Sequence, residues 1–162
     1  MVPRFEVLQK KRLIGKSMLM SYNQNTTPDL WRSFMMNRKQ IANTIGTDLY
    51  SIQFYPPILD WSHFSPAIIF EKWAAIEVED FSEVPEGFKE LFLYRGLYAV
   101  FAYKGGSEGA EEAFKTIFSL WLPTSDYIID DRPHFEVIGS KYINGSPDSE
   151  EEIWIPIREK NH

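Results

Sequence analysis

The acid best placed to do chemistry in this chain is Glu136, in the run His134-Phe135-Glu136-Val137-Ile138. A two-residue period puts Phe135 and Val137 on one face of a strand, expected to lie under a helix, and sends Glu136 to the other. A carboxylate there among aromatic rings loses part of its hydration, so it either takes up a proton or favours a cation. If that face is open to water instead, Glu136 is an ordinary surface acid.

Trp154 is the second candidate. Ile153, Ile155 and Ile157 make an apolar strand face, which sends Trp154 to the opposite side, the side assigned to Glu136. Trp73 stands in the corresponding place earlier in the chain. A cation over an indole gains about 0.5 to 2 kcal/mol, and a flat ring gains by stacking. The alternative is a pair of indoles that plug a seam with no ligand. Tyr50, Tyr55, Trp61, Phe64 and Tyr98 are further candidates for a pocket wall. His63 and His134 have no partner at a metal-motif spacing, so no metal is expected. Lys104-Gly-Gly-Ser-Glu-Gly109 fits neither GxGxxG nor a Walker sequence, and no nucleophile elbow occurs, so no cofactor is expected.

The composition sets the frame for these residues. A chain of 162 residues has the length of one domain, and folding buries roughly 70% of its unfolded surface. Aromatics make up 15% of the chain, more than such a core needs, which suits a pocket for flat or cationic molecules. The net charge is −6 and no basic stripe is present, which argues against direct nucleic-acid binding. The absence of cysteine excludes disulfides and thiolate chemistry and fits a reducing compartment. No apolar run is long enough for a signal peptide or a membrane span. A cytoplasmic location with no membrane partner is the expectation.

The elements that must position these residues read in order. Residues 5–22 form a long extended segment with a bulge or bend at Gly15. Thr26-Thr27-Pro28-Asp29 starts a helix whose apolar face, from Leu30 to Ile41, runs to about Asn43, with Gly46 as its stop. A strand over 48–55 ends at Pro56-Pro57, a loop covers 58–65, and a strand follows over 67–79 with Trp73 on one side and Phe70, Lys72, Ala74 and Ile76 on the other. A connection over 81–87 leads to a second round. Two extended runs, 88–94 and 97–103, hinge at Arg95-Gly96; a helix capped at Ser107 ends at Pro123; strands follow near 134–142 and 152–157.

The pattern strand, helix, strand, strand is thus stated twice. It predicts a single α+β domain over 1–162 with repeats at about 3–80 and 86–158. Two helices would pack on an antiparallel sheet, with a pseudo-two-fold axis and a central groove between β-α-β-β halves. Phe70-Glu-Lys-Trp-Ala-Ala-Ile76 and Glu152-Ile-Trp-Ile-Pro-Ile157 correspond, pairing Trp73 with Trp154.

Arg95-Gly-Leu-Tyr-Ala-Val-Phe101, Phe118-Ser-Leu-Trp-Leu-Pro-Thr-Ser-Asp-Tyr127, Pro133-His-Phe-Glu136 and Glu152-Ile-Trp-Ile-Pro-Ile157 resemble the GyrI-like small-molecule-binding domain. That module also serves as the effector-binding domain of some AraC-type and MerR-type regulators. The resemblance is close over 88–157 and architectural over 1–80. It implies a groove between the halves, a family glutamate at Glu136 associated with lipophilic cations, and a closing-strand aromatic at Trp154. It also implies that some relatives hydrolyse electrophilic cyclopropane-bearing compounds with the same glutamate. No helix-turn-helix flanks the domain, so it is not expected to bind an operator by itself.

Three functions follow as expectations. The first is stand-alone binding or sequestration of a small lipophilic cation or aromatic by Glu136, Trp154 and Trp73. The second is a hydrolase with Glu136 as general base and Tyr98 or Tyr55 polarising the electrophile. The third is a modulator of gyrase or a separate regulator through an acidic surface such as Asp148-Ser-Glu-Glu-Glu152; the simpler reading of that run is a solvated turn.

Overall fold

Two short interruptions, Gln9-Lys10 and Tyr94-Arg95, organise the chain in the computed structural model, which describes residues 1–58 and 60–160. They divide two long bent ribbons into β1 (Arg4–Leu8) with β2 (Lys11–Met20), and β5 (Lys89–Leu93) with β6 (Gly96–Lys104). The ribbons pair antiparallel on both sides of these bends: Arg4–Leu8 of β1 with Gly96–Val100 of β6, and Lys11–Gly15 of β2 with Lys89–Leu93 of β5, so the two bends face each other.

The remaining strands are β3 (Thr44–Phe54), β4 (Phe70–Val78), β7 (Tyr127–Ile129), β8 (His134–Ile138) and β9 (Glu150–Glu159). The sheet order is β1-β6-β9-β8-β3-β4-β2-β5, and β7 adds to β9. In each half a closing strand, β4 or β9, lies between the long ribbon and the strand that follows the helix. Pairing of β3 with β8 joins the halves. Because β1 and β2 sit near opposite ends of the order yet are joined by two residues, the sheet curls into a half-barrel. The duplication is visible in detail: Trp73 Nε1 donates to Glu71 Oε1 at 2.6 Å, and Trp154 Nε1 donates to Glu152 Oε1 at 3.1 Å, at equivalent places.

The curl gives the sheet two buried faces. The inner one holds Leu13, Tyr50, Ile52, Trp73, Leu93, Tyr98, Val100 and Phe135. The outer one carries the helices. Leu30 and Phe34 of α1 (Thr27–Asn37) pack with Ile14, Ala74 and Ile76, over β2 and β4. Ala113 of α2 (Gly106–Thr116) and Ile117 just beyond it pack with Ala99, Phe101, Ile153 and Ile155, over β6 and β9. Among the described residues, no helix is long and apolar enough to cross a membrane.

Several boundaries differ from the expectations. Gly15 is neither bulge nor bend, since the β2 register runs through it unbroken. It is a close approach: a Cβ there would lie 2.2 Å from Ala74 O. The first helix ends at Asn37, six residues short, and a 3-10 turn (Arg38–Gln40) carries the chain to Asn43 at a φ of 59°. Gly46, at a φ of 68°, lies in a register shift of β3 rather than stopping a helix.

The second helix opens at Gly106, so Gly105 and not Ser107 holds the cap position. It passes through a wide turn, Ile117–Trp121, and reaches Thr124 with Pro123 inside its last turn. The helix does end close by, since the chain turns extended at Ser125. β8 stops at Ile138, well before Tyr142. The run 148–152 is not a solvated turn throughout. Glu150 to Glu152 belong to β9, and Glu152 pairs with Arg4 at 2.8 Å.

Candidate functional site

Glu136 stands opposite Ser51 of β3 and Ile153 of β9. Ile153 belongs to the core under α2, so Glu136 is on the outer, helix-bearing face. The helices cover β2 with β4 and β6 with β9, leaving β3 and β8 as the floor of a groove between the halves. The acid sits on that floor, at the seam. Alternation puts Gln53, Lys72 and His134 on the same face.

The carboxylate of Glu136 is sealed from solvent at Oε2, and that atom has no hydrogen-bond partner among the described residues. Burial pushes the Glu136 carboxyl above its ordinary range, while Lys72 and a hydrogen bond with Gln53 pull it back. The Lys72 ammonium is held below its ordinary range by burial, against the pull of Glu136 and Glu151. Glu151 is raised to about 7, first by burial and then by the charge of Glu136. A buried acid left without full compensation is a costly arrangement, and such groups concentrate at sites that act on ligands.

A cluster of rings covers this floor. Tyr55, directly after β3, shares a 2.6 Å hydrogen bond with the Tyr22 hydroxyl and meets His134 edge-on at 5.0 Å. A 3-10 turn (Trp61–His63) lays Trp61 between Phe64 at 5.7 Å and Phe118 at 5.2 Å, both near parallel. His134 lies 4.7 Å from Trp61. Burial and the nearby Arg132 hold His134 down at about 3, so it is neutral at pH 7. Phe118 comes from the wide turn Ile117–Trp121, a distortion found often at functional sites. A hollow of about 200 Å³ beside the rings is lined by Tyr55, Trp61, Asp130, Arg132 and His134.

The structure therefore brings together Glu136, Tyr55, Trp61 and Phe64. It separates them from Trp154, Trp73, Tyr50 and Tyr98, which lie on the inner face. The expectation that Phe135 and Val137 face a helix, with Glu136 and Trp154 together on the far side, is reversed by the register. Phe135 is the residue opposite Trp154, and the two rings stack at 5.1 Å. The inner rings have partners of their own: Tyr98 donates to Pro133 O at 2.8 Å, and Lys89 lies 4.7 Å over Trp73. A hollow of about 320 Å³ opens at that face between Phe54, Phe92, Tyr98 and Arg132, but the sealed, unpaired Oε2 of Glu136 is on the other side.

Sequence reasoning missed Tyr22, Gln53, Lys72, Phe118, His134 and Glu151. The signal for three of them was present, because Gln53, Lys72 and His134 follow from strand parity once Glu136 is placed on the helix-bearing face. Among the described residues no group of His, Asp and Glu is arranged to hold a metal ion.

The model of the GyrI-like small molecule binding domain matches residues 1–158. No curated protein matches the chain. Among solved structures, SAV2435 bound to tetraphenylphosphonium superposes with a TM-score of 0.71 at 14% identity, covering 98% of this chain and 94% of that one. The C-terminal domain of EcmrR gives 0.69 at 12% identity, with 97% of each chain covered. An integron cassette protein from Vibrio cholerae gives 0.66 at 13% identity, covering 97% of this chain and 96% of its own. At these identities the likeness is one of fold.

Proposed function

The chain belongs to the GyrI-like small-molecule-binding family, and on that premise we propose that it captures a lipophilic, aromatic cation in the groove over Glu136. The observation that carries this reading is the Glu136 Oε2, sealed and unpaired on the groove floor, with the carboxyl close enough for its charge to be felt by Tyr55 and Tyr22 of the ring cluster. A permanent organic cation gives that oxygen a counter-charge without asking for a hydrogen bond. Ring faces around it add about 0.5 to 2 kcal/mol each where they are desolvated. Tetraphenylphosphonium, the ligand held by the related SAV2435, has both properties.

Entry requires room. Trp61 fills the space between Phe64 and Phe118, and its segment, residues 60–69, lies outside the strands, so it is the part able to yield. Titration of tetraphenylphosphonium by calorimetry tests the proposal. Glu136→Gln weakens binding about tenfold or more, the equivalent of at least one lost charge contact. Equal affinity in the two proteins would overturn the reading.

A second reading, hydrolysis of a strained electrophile, is supported by one feature: a carboxyl of raised pKa whose charge is felt by the phenol of Tyr55. Tyr98 has no part in it, being on the inner face. Incubation with cyclopropane-bearing electrophiles and the absence of any product would remove it.

A further inference from the structure

A second acid borders the groove floor from β9. Glu151 lies on β9 two residues before Ile153, the direct partner of Glu136, so the two carboxylates are diagonal neighbours on one sheet face. Such neighbours stand roughly 7 to 8 Å apart at the backbone, within reach of each other's field in a dry seam. Lys72, diagonally placed across β3, is the one cation whose charge acts on both acids among the described residues. Two carboxylates and one ammonium leave a single negative charge uncovered.

We propose that Glu151 is the second carboxylate of the cation site, and that a lipophilic cation enters in exchange for one proton shared by Glu136 and Glu151. This rests on the capture reading above and specifies its chemistry. Before entry the site holds one carboxylate, one carboxylic acid and the Lys72 ammonium, with no net charge. Entry of a monocation releases the proton to water and leaves two carboxylates facing two cations, again with no net charge. Charge is conserved at each stage.

The surroundings leave the proton with these two acids. Lys72 comes from β4, Gln53 and Tyr55 from β3 and its continuation, and Tyr22 from the chain after β2. Tyr103 of β6 and Tyr142, in the segment between β8 and β9, feel the charge of Glu151. The phenols of Tyr22 and Tyr55 are raised by burial, Tyr22 to about 12, and stay protonated at neutral pH. His134, on the same strand as Glu136, is neutral there. Burial and the charge of Glu136 hold Glu151 at about 7, in the range where such an exchange is felt.

The test is calorimetry of the whole chain with tetraphenylphosphonium, in two buffers of different ionisation enthalpy at pH 7 and at pH 6 and 8. The expected result is proton release on binding and affinity that rises about tenfold from pH 6 to pH 8, the change in the doubly ionised fraction. In Glu151→Gln that rise shrinks to less than about twofold. Binding with no proton released, or an unchanged pH profile in a folded Glu151→Gln, overturns the exchange and leaves capture standing. No binding at any pH overturns capture, and the exchange with it. The two-buffer measurement on the unaltered protein decides the matter even if the variant does not fold.

Discussion

Phe135 faces Trp154 directly across the β8–β9 ladder, and their rings stack at 5.1 Å with 18° between planes. This pair fixes which face of the sheet is which. With Phe135 turned inward against Trp154, Glu136 must turn to the outer face, the one that bears the helices.

Trp154→Ala is therefore a stability mutation. Loss of a packed indole costs about 3 kcal/mol, read as a lower midpoint in denaturant unfolding. The affinity of the folded protein for tetraphenylphosphonium stays within about twofold, and a larger loss would place Trp154 back at the ligand.

Trp61 is the indole that reports on the groove. Binding of an aromatic cation changes tryptophan fluorescence in the unaltered chain and in Trp73→Phe, while Trp61→Phe abolishes most of the change. A signal that survives in Trp61→Phe and vanishes in Trp73→Phe would move the ligand to the inner face.

Gly15→Ala forces a methyl to within 2.2 Å of Ala74 O, a backbone atom in the paired strand. The strands must separate locally, at a cost of about 1 to 3 kcal/mol. A fall of several degrees in Tm checks it, and an unchanged Tm would mean that β2 and β4 lie further apart.

Glu151 makes stability depend on pH in the absence of ligand. Its carboxyl is raised from 4.5 to about 7 in the folded chain, so folding favours the protonated form, and that stability is present below 4.5 and lost as pH rises through 7. Against the unaltered chain, Glu151→Gln is expected to be equal in stability near pH 4.5 and more stable by about 1 kcal/mol at pH 8, after allowance for partial exposure. Urea unfolding at the two pH values reads the difference.

Much of this was legible in the residues. Thr27 and Pro28 at a helix start, the stop at Pro56-Pro57 and the repeated Glu-x-Trp of Glu71-Trp73 and Glu152-Trp154 all follow from local chemistry. Parity correctly split Trp73 from Lys72. What parity lacks is a label for its two faces. An open sheet with one wet side would supply it, but this one curls until Tyr98 and Phe135 on the inside are as buried as Ile153 on the outside, so Trp154 had no reason to mark a cleft. The ring cluster was hidden for another reason. Trp61 meets Phe118 only because an aperiodic segment folds back and a helix widens by one residue, neither of which leaves a spacing to read.

The facing bends at Gln9-Lys10 and Tyr94-Arg95 carry a consequence for synthesis. As the chain leaves the ribosome, β1 has no mate until β6 follows nearly a hundred positions later, and β3 keeps a bare edge until β8 arrives. A nascent or truncated front half would show two sticky borders, prone to clumping, and lock into place only when the back half is made.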